Sequence, residues 1–467
     1  MRYVSTRGRA PAIGFTEALL AGLAPDGGLY VPETWPTLRP EDIAAFAGRP
    51  YAEVAADILG RFAGDEIAPD AMARMCAEAY ATFDHAAVTP LVQLAPDSFM
   101  LELFHGPTLA FKDVAMQILS RLYEHALAAS GRSLTIVCAT SGDTGGAAVE
   151  AFAGRPGVRI AALFPEGRIS EVQRRFMTTA GESNVLCMSI AGDFDDCQAV
   201  VKALFQDTTF VRDVDLSGVN SINIARIAAQ CVYYFVAGVA LGAPGRPVNF
   251  AVPTGNFGDA LAGHIAALMG LPVARILIAT NANDIVARAL NEGVYRRGRA
   301  VATQSPAMDI QVASNFERLY FDACGRDPAA TARAFETFAQ SDEILLPPKV
   351  LAAMRMRFDA ACVSEAATDA AMAAALADTG LVIDPHTAVA YAVAMSGHGA
   401  RFTSPTVILS TAHPAKFPEA VHAATGRASP VPAAVSVRAG RPERIDRLGA
   451  DVAAVKARLR AFVEGSA

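Results

Sequence analysis

Short apolar runs alternate with longer amphipathic stretches along most of the chain after about residue 95. The runs contain few polar breaks, whereas the stretches between them show the three-to-four-residue spacing of helices. Continuous apolar strands separated by helices are typical of βαβ units, so the pattern predicts an α/β fold with parallel sheet. The predicted strands are Leu134–Cys138, Ile160–Phe164, Val248–Val252, Ile276–Ala279 and Thr406–Leu409.

The first 95 residues or so follow a different pattern, which predicts a separate domain. An extended start and the turn Pro25–Gly28 precede a mainly helical stretch, and Pro90 and Pro96 bracket its end.

Farther along, the apolar run Cys231–Ala243 is too short to span a bilayer and is interpreted as a buried helix. In α/β sheets, ligands bind beyond the carboxyl ends of strands, so functional residues are expected at the predicted strand ends.

Composition narrows the class of protein without naming a chemistry. Of 467 residues, 52% are apolar and 19% are charged, which supports buried cores and argues against disorder. The net charge of −7 gives no basic surface, so nucleic acid is not expected as a partner. The seven cysteines are scattered without a C-x-x-C pair and are expected as small buried residues of a reducing compartment. The N-terminus lacks the apolar segment of a secretory signal, so a cytoplasmic location without membrane contact is expected.

Two predicted strands end in a glycine turn that leads into a helix. The turns are Thr140–Gly146 and Thr254–Asp259. Glycine lets the backbone point its amides outward, and a helix N-terminus adds partial positive charge, so either turn could hold phosphate or carboxylate. Neither matches the P-loop or the dinucleotide fingerprint, which argues against ATP and NAD. For each turn alone, a plain tight connection is an equal alternative.

Lys112 is the most informative single residue. It opens a predicted helix that runs to about Ala129, and the apolar residues Ala115, Met116 and Leu119 lie on the same helix face. Burial and the helix N-terminus both disfavour a cation, so the neutral, nucleophilic amine that forms a Schiff base is expected. The alternative is a lysine whose stem packs while its head reaches solvent.

A further strand end, Ser410–Pro414, offers hydroxyl groups beyond the last predicted strand. Such groups could hydrogen-bond a heteroaromatic nitrogen or an oxygen. A turn stabilised by serine and threonine is the alternative at this position.

Taken together, these segments resemble the threonine synthase family of pyridoxal-phosphate enzymes, in its longer branch with an extra N-terminal domain. The agreement runs in chain order over about residues 1–425 and includes segments without assigned chemistry. The segments that carry the resemblance are Phe104–Asp113, Thr140–Gly145, Pro253–Asp259 and Ser410–Phe417, and, outside the candidate site, Tyr3–Arg7, Asp26–Leu29, Gly167–Ser170, Asn220–Asn223, Ser305–Asp309 and Ser314–Arg318.

The resemblance implies a fold-type II, tryptophan-synthase-β-like α/β architecture, with two α/β domains of parallel-rich sheet and an N-terminal domain. The last 40 residues or so carry no usable motif. A monomer or small homo-oligomer is expected. The implied domains are an N-terminal domain of 1–95, a large cofactor-binding domain of 96–130 and 243–430, a smaller α/β domain of 131–242, and a C-terminal extension of 431–467.

The resemblance also implies an activity and the residues that carry it. The family converts O-phospho-L-homoserine and water to L-threonine and phosphate with pyridoxal 5′-phosphate, by β,γ-elimination and addition of water at Cβ. Lys112 would be the Schiff-base residue and the acid–base group. The other implied roles are cofactor binding by Gly255, Asn256, Phe257, Gly258, Asp259 and Thr411, and substrate binding by Ser141, Gly142, Asp143, Thr144, Asn220 and Arg226.

Several alternatives stay open at this point. For Arg226, and for Lys416 as a weaker phosphate-binding candidate, the alternative is an exposed surface charge. His105 and His413 flank the candidate residues in sequence and are interpreted as structural, and no cluster with metal-ligand spacing predicts a metal. The same fold could serve a serine or threonine dehydratase or a β-replacing synthase, and the glycine turns alone could serve a non-catalytic phosphometabolite-binding protein.

Overall fold

The computed structural model describes residues 1–219, 221–396 and 403–465, without the side chains of Ala129 and Ser130. The chain divides into two units. The first unit comprises Met1–His105 and Ser221–Ser429, and the second comprises Gly106–Asn220 and Pro430–Ala467. These units divide the chain at other points than the four domains expected from the sequence, and those domain boundaries stay a prediction.

Strands and helices are numbered in chain order. The strands are β1 (Tyr3–Ser5), β2 (Tyr30–Pro32), β3 (Leu91–Ala95), β4 (Ser98–Glu102), β5 (Leu134–Ala139), β6 (Val158–Pro165), β7 (Val185–Ala191), β8 (Leu216–Ser217), β9 (Val248–Pro253), β10 (Val273–Thr280), β11 (Val294–Arg296), β12 (Glu343–Leu345), β13 (Phe358–Cys362), β14 (Thr406–Ser410) and β15 (Asp446–Gly449). The helices are α1 (Phe15–Ala21), α2 (Pro40–Ala44), α3 (Tyr51–Ala63), α4 (Pro69–Tyr80), α5 (Lys112–Ser130), α6 (Asp143–Phe152), α7 (Glu171–Thr178), α8 (Phe194–Gln206), α9 (Thr208–Asp213), α10 (Ile224–Ala240), α11 (Gly258–Leu268), α12 (Ile285–Glu292), α13 (Phe316–Ala323), α14 (Pro328–Ser341), α15 (Pro348–Arg355), α16 (Glu365–Thr379), α17 (Pro385–Met395), α18 (Pro418–Thr425), α19 (Ala433–Ala439) and α20 (Val452–Gly465).

The main sheet of the first unit has the strand order β13-β10-β9-β14-β4-β3. Its strands are parallel except β3, which runs antiparallel to β4. The apolar runs predicted at 248–252, 276–279 and 406–409 form its central strands β9, β10 and β14, which are buried and packed against α17. Because β9 and β14 are parallel neighbours, with Ala251 opposite Ile408, their carboxyl ends meet at one edge of the sheet.

Helices from the N-terminal residues belong to this first unit as well. Helix α3 buries Val54, Ile58, Leu59 and Phe62, which recur on one face, and it packs against α4 and α10. Helix α10 is buried along most of its length and includes most of the apolar run predicted as a buried helix. Within the described ranges, no helix combines the length and apolar character needed to cross a bilayer.

The sheet of the second unit is parallel throughout, with the strand order β15-β7-β6-β5-β8. Strands β5 and β6 are the runs predicted at 134–138 and 160–164. The C-terminal segment adds β15 beside β7 and packs α20 against α8. Val455, Leu459 and Phe462 of α20 join an apolar cluster with Val200 and Leu204 of α8. These residues of α20 therefore belong to the core of this unit, although no motif was recognised in them from the sequence.

The cysteines are free thiols with differing exposure. Cys324 is half-buried and Cys362 is exposed, so the expectation of burial is wrong for Cys362. Burial is confirmed for the others, which are Cys76, Cys138, Cys187, Cys197 and Cys231.

Candidate active site

The glycine turn after β9 packs closely against another backbone segment. A Cβ on Gly255 would lie 2.8 Å from the carbonyl oxygen of Ala307 and 3.2 Å from Cα of Met308, so the turn requires glycine there. Phe257 has a φ of 64°, in the left-handed region, and α11 begins at the next residue, Gly258. The first amides of a helix have no carbonyl partner within it, so this turn can hold an anion such as phosphate.

Asn256 and Asp259, two more predicted cofactor residues, are held by their neighbours. The side-chain oxygen of Asn256 accepts a hydrogen bond from Ser314 Oγ at 3.1 Å. One carboxylate oxygen of Asp259 accepts from Tyr233 at 2.5 Å and from Tyr234 at 2.9 Å, which ties α11 to α10. Burial and the charge of Asp259 raise the pKa of both tyrosines, so both stay protonated donors. Because its carboxylate would repel phosphate, Asp259 can serve an anion only through its backbone amide.

Thr411 directly follows β14 and is buried, with 6% of its surface exposed. The preceding residue, Ser410, fixes this strand end, because its carbonyl oxygen accepts from the amide of Leu103 at 2.9 Å. Thr411 therefore lies at the same sheet edge as the glycine turn after β9. A neutral hydroxyl in this position can donate to or accept from a ring nitrogen.

A buried network of polar side chains supports the carboxyl ends of β9 and β14. It was not predicted from the sequence. Asp384 caps α17 by accepting from the amides of His386 and Thr387, each at 3.0 Å, and it lies 2.7 Å from His386 Nδ1. His386 Nε2 accepts from the amide of Ala307 at 3.2 Å, and Thr387 Oγ1 lies 3.0 Å from Ser410 Oγ. The network joins the segment behind the glycine turn to the end of β14. The Asp-Pro-His-Thr sequence is a helix-start signal that could have located it.

In the second unit, Lys112 is the first residue of α5 and is 9% exposed. Its Nζ lies 3.5 Å from Oδ2 of Asp143 and 4.7 Å from the centre of the Phe111 ring. The other carboxylate oxygen of Asp143 accepts from Gln173 Nε2 at 2.9 Å. The head of Lys112 is therefore buried beside a fixed carboxylate, and the alternative of a head in solvent is wrong.

This contact bears on the protonation state of Lys112, and the neutral amine expected from the sequence stays a prediction. A carboxylate within 4 Å stabilises the ammonium form and opposes the effects of burial and of the helix N-terminus. The sequence argument considered only neighbours along α5, whereas Asp143 comes from the first turn of α6. A buried pair of amine and carboxylate suits acid–base work, because the amine can hold a proton and release it. As a carboxylate itself, Asp143 could offer a substrate carboxylate only its backbone amide.

The turn after β5 uses part of its hydrogen-bonding capacity internally. The hydroxyl oxygen of Thr140 accepts from the amides of Gly142 at 3.0 Å and Gly145 at 2.8 Å. Gly142 has a φ of 127°, which side chains rarely allow. Fewer amides are left for an anion than the glycine content suggests. Ser141 and Thr144 are half-buried and add hydroxyl groups to the turn.

The cationic candidates for a second phosphate are buried. Arg226 lies in the first turn of α10 and is 3% exposed. Lys416, in a short 3₁₀ helix after β14, is 1% exposed. The alternative of exposed surface charges is therefore wrong for both residues. Asn220, the remaining candidate, lies outside the described residues.

His105 and His413 both have partners within the protein, in keeping with a structural role. His105 Nδ1 lies 3.0 Å from Asp84, and its Nε2 lies 2.8 Å from Glu102. Burial lowers the pKa of His105, but these two carboxylates raise it by more. His413 Nδ1 accepts from the amide of Ala415 at 3.1 Å. Burial, together with the charge of His105, lowers the pKa of His413 to about 4.

Each unit carries part of the expected set of residues. The Gly255–Asp259 turn, Thr411 and Arg226 belong to the first unit, where two adjacent parallel strands bring the turn and Thr411 to one edge. Lys112 and the Ser141–Thr144 turn belong to the second unit, where Asp143 joins them. The functional role of each residue stays a prediction.

Similarity to known proteins extends along the whole chain. Family models for "Threonine synthase N terminus", "Pyridoxal-phosphate dependent enzyme" and "Threonine synthase, C-terminal" match residues 2–80, 82–411 and 387–458, respectively. The chain is 46% identical to a threonine synthase of Pseudomonas aeruginosa over 458 residues, covering 98% of this chain and 97% of the relative. It is 41% identical to a threonine synthase of Methylobacillus glycogenes, with 98% of each chain covered.

Solved structures give the same result at the level of the fold. A PLP-bound threonine synthase from Brucella melitensis superimposes with a TM-score of 0.96 at 50% identity, and threonine synthase from yeast with 0.93 at 35% identity, each over 99% of both chains. A pyridoxal-phosphate-dependent aspartate racemase, 14% identical, has a TM-score of 0.51 over 74% of this chain and 95% of its own, which is a likeness of fold alone. The expected fold-type II α/β architecture with an N-terminal domain is confirmed.

Proposed function

The chain belongs to the threonine synthase family of pyridoxal-phosphate-dependent enzymes, and on that premise we propose that it converts O-phospho-L-homoserine and water to L-threonine and inorganic phosphate. The observation that carries the proposal is the similarity to threonine synthases along the full chain, including the N-terminal and C-terminal segments. The geometry of each unit supplies groups that suit this chemistry.

The residues present fit pyridoxal 5′-phosphate, the cofactor of this family. The turn at Gly255 leads into the N-terminus of α11, whose first amides suit the cofactor phosphate. Thr411 offers a hydroxyl for the ring nitrogen, and Lys112 offers a buried amine for the aldehyde. When bound, the cofactor supplies an electron sink that stabilises negative charge at the substrate Cα.

Lys112 would move the protons of the reaction. Its amine can take the proton from Cα of the substrate, and the loss of a second proton from Cβ allows phosphate to leave Cγ. Asp143, 3.5 Å from the Lys112 Nζ, would stabilise the ammonium while it holds a proton. A proton delivered to Cγ would form the methyl group, water would add at Cβ to give the hydroxyl group, and a proton returned to Cα would complete L-threonine.

The two anionic groups of the substrate would bind at different parts of the chain. The Ser141–Thr144 turn would receive the carboxylate through its amides and hydroxyl groups. Arg226 would receive the phosphate, because a guanidinium presents a planar fork and the first turn of α10 adds partial positive charge. Asn220 is proposed for the same phosphate from the family resemblance alone.

Location and assembly are part of the same proposal. The buried thiols of Cys138 and Cys187 are free, which fits a reducing compartment, and we infer a cytoplasmic location. The partner is a small-molecule substrate, with no membrane or nucleic acid, and the enzyme would act as a monomer or small homo-oligomer.

Product analysis tests the reaction. The purified protein, loaded with pyridoxal phosphate, should release phosphate and L-threonine in equal amounts from O-phospho-L-homoserine. Formation of pyruvate from serine or 2-oxobutanoate from threonine, without phosphate release, would instead assign it to the dehydratases. Binding of phosphometabolites without turnover would assign it to the non-catalytic class.

Lys112→Ala tests the assigned lysine. We expect activity to fall at least about a thousandfold, because both the covalent anchor and the proton carrier are lost. Borohydride reduction of the unaltered protein, followed by peptide mass spectrometry, should place the cofactor on Lys112. Lys349→Ala, which alters an exposed lysine of α15, is the control and should keep full activity. Labelling at another lysine would reject the assignment.

A further inference from the structure

The segment Ser314–Arg318 leads into α13 and takes no part in the mechanism above. Its sequence is Ser-Asn-Phe-Glu-Arg, and no chemistry is assigned to it. Phe316 anchors the segment, because its ring stacks on that of Tyr295 with a centroid separation of 4.3 Å. The polar side chains of the segment therefore project from a fixed backbone into the surrounding loops of the first unit.

Asn315 connects the two loops to which phosphate groups are assigned. Its backbone amide donates to the carbonyl oxygen of Asn256 at 3.1 Å. Its side-chain amide donates to the carbonyl oxygen of Ser221 at 3.0 Å and to that of Asn256 at 3.3 Å. Asn256 belongs to the turn for the cofactor phosphate, and Ser221 belongs to the loop before α10, which carries Arg226. One NH₂ group therefore spans both loops.

Arg318 fixes the orientation of that amide. It is 0% exposed, and its Nη1 donates to Oδ1 of Asn315 at 2.6 Å. Because Oδ1 is held by a donor, the NH₂ end of Asn315 must face the two loop carbonyls. Arg318 Nη2 also donates to the carbonyl oxygens of Ile222 at 2.6 Å and Tyr30 at 2.8 Å. A buried guanidinium is costly unless its donors are satisfied, so these acceptors define one position for it.

The loop Ser221–Asn223 in turn sets the start of α10. The side-chain oxygen of Asn223 caps this helix by accepting from the amide of Ala225 at 3.0 Å. The side-chain NH₂ of Asn223 donates to the carbonyl oxygen of Leu19 at 2.8 Å. Arg226 follows within the first turn, so a displacement of this loop would displace the guanidinium proposed to bind the substrate phosphate.

We propose that Asn315 and Arg318 are positioning residues that hold the cofactor-phosphate turn and the substrate-phosphate loop as one rigid part. This inference rests on the proposed function, which assigns the roles of the Gly255 turn and of Arg226. A disturbance at Asn315 then weakens both phosphate sites together. Glu317, in the same segment, accepts from Thr6 and Arg7, so within the described ranges of the chain it holds the N-terminal residues instead.

Asn315→Asp is the decisive variant. Aspartate keeps the volume and the acceptor for Arg318, but it removes the NH₂ donor that the two loops share and adds a negative charge, so the neutral variant Asn315→Ala must show the same joint effect. We expect the dissociation constant of pyridoxal phosphate, measured by titrating the cofactor-free protein, to rise about tenfold through the lost hydrogen bonds. At saturating cofactor, KM for O-phospho-L-homoserine should rise by a similar factor, while kcat falls less than about threefold.

Two variants control for a general loss of stability. Asn291→Asp removes a comparable donor, since the Asn291 side chain donates to the carbonyl oxygen of Ala360 at 3.1 Å. Glu317→Gln disturbs the same segment but not the two loops. Both should lower the melting temperature while changing the cofactor dissociation constant and KM by less than about twofold. Combining Asn315→Ala with Arg318→Lys should give less than the sum of the two single effects, because the residues share the contact between Arg318 Nη1 and Asn315 Oδ1.

The outcomes separate this inference from the function on which it rests. If the unaltered protein releases phosphate from O-phospho-L-homoserine but Asn315→Asp behaves like its controls, the positioning role alone is rejected. A rise in only one of the two constants also rejects it, because joint positioning requires both. If the unaltered protein releases no phosphate from this substrate, the proposed function and the inference fall together.

Discussion

His264, on α11, shows how one buried side chain can make stability depend on pH. Its ring lies beside that of Phe358, with centroids 5.5 Å apart, and neither ring nitrogen makes a hydrogen bond within the described part of the chain. Asp322 Oδ2 lies 3.8 Å from Nε2, and the charge of Arg357 also acts on the ring. Burial, helped by Arg357, lowers the pKa of His264 to about 3, so the folded protein keeps this imidazole neutral.

His264→Leu should make stability less sensitive to acid. The unfolded chain protonates this histidine near pH 6.5, whereas the folded chain does so only near pH 3, so its contribution is complete above pH 6.5 and is lost as the pH falls. At about pH 5 the loss is about 2 kcal/mol in the free energy of unfolding. Urea unfolding near pH 7.5 and pH 5 should show a smaller difference for His264→Leu. His125→Leu, at an exposed site, is the control. If both variants lose as much free energy of unfolding between pH 7.5 and pH 5 as the unaltered protein, the prediction is contradicted.

The surroundings of a side chain can be predicted from the sequence when the residues that contact it lie on the same helix or strand. The burial of Lys112 could be predicted because apolar side chains recur on its own helix face. Its contact with Asp143 could not, because a pairing between two helices leaves no local signal. Arg318 is a similar case: its acceptors, including the carbonyl of Tyr30, come together only in the folded chain.

At the scale of elements, the conformation of the turn between β9 and α11 depends on Gly255, which packs against another backbone segment. The atoms nearest to a Cβ at Gly255 belong to the backbone of the Pro306–Met308 turn and to Ile310, and backbone atoms cannot rotate away. The side of the turn on which a Gly255 side chain would lie is therefore filled by the Pro306–Met308 turn. The shape of the glycine turn is set by two elements distant in sequence.

Gly255→Ala should displace this turn and weaken cofactor binding. The clash with the carbonyl oxygen of Ala307 predicts a destabilisation of about 1–3 kcal/mol and at least a tenfold rise in the pyridoxal-phosphate dissociation constant. Gly60→Ala, inside α3, is the matched control: its Cβ meets nothing within 4 Å, so the change should stabilise by about 0.5–1 kcal/mol. Thermal melting and cofactor titration measure both effects, and equal behaviour of the two variants would refute the steric argument.

Element prediction from sequence finds five of the central strands, but it misses the central strands β4 and β7 as well as the strands at the sheet edges. The predicted strands are buried, and their apolar runs made them recognisable in the sequence; they are β5, β6, β9, β10 and β14. Strands β3 and β15 lie at edges and are only partly buried; Gln93 interrupts the apolar run of β3, and Leu448 is the one large apolar residue of β15. Asp446–Gly449, for example, is Asp-Arg-Leu-Gly, and it is a strand because β7 offers it a partner.

For the molecule as a whole, the second unit is assembled from two stretches of chain that are far apart in sequence. Residues 106–219 supply four strands of its parallel sheet, and the C-terminal segment supplies the fifth strand and the covering helix α20. Leu459 on α20 is 0% exposed and packs within the apolar cluster of α8. The C-terminal segment therefore contributes to stability through ordinary core packing.

Leu459→Ala should reduce the free energy of unfolding by about 2–5 kcal/mol, because it removes buried methyl groups and leaves a cavity. Val437→Ala, at a position that is 56% exposed, is the control and should change stability by less than about 0.5 kcal/mol. Denaturant unfolding followed by circular dichroism measures the difference. If Leu459→Ala proved as stable as its control, α20 would not belong to the folded core.

The pairing of β15 with β7 also means that β7 is synthesised well before its neighbouring strand. Ala191 ends β7, and Asp446, which begins the strand beside it, leaves the ribosome 255 residues later. At about 5–20 residues per second, the edge of β7 waits on the order of 10–50 s without its neighbour. An open edge strand is a template for pairing with other chains, so newly made molecules are most exposed to aggregation during this interval. A nascent chain of this protein would keep this edge of β7 unpaired until its last strand is made.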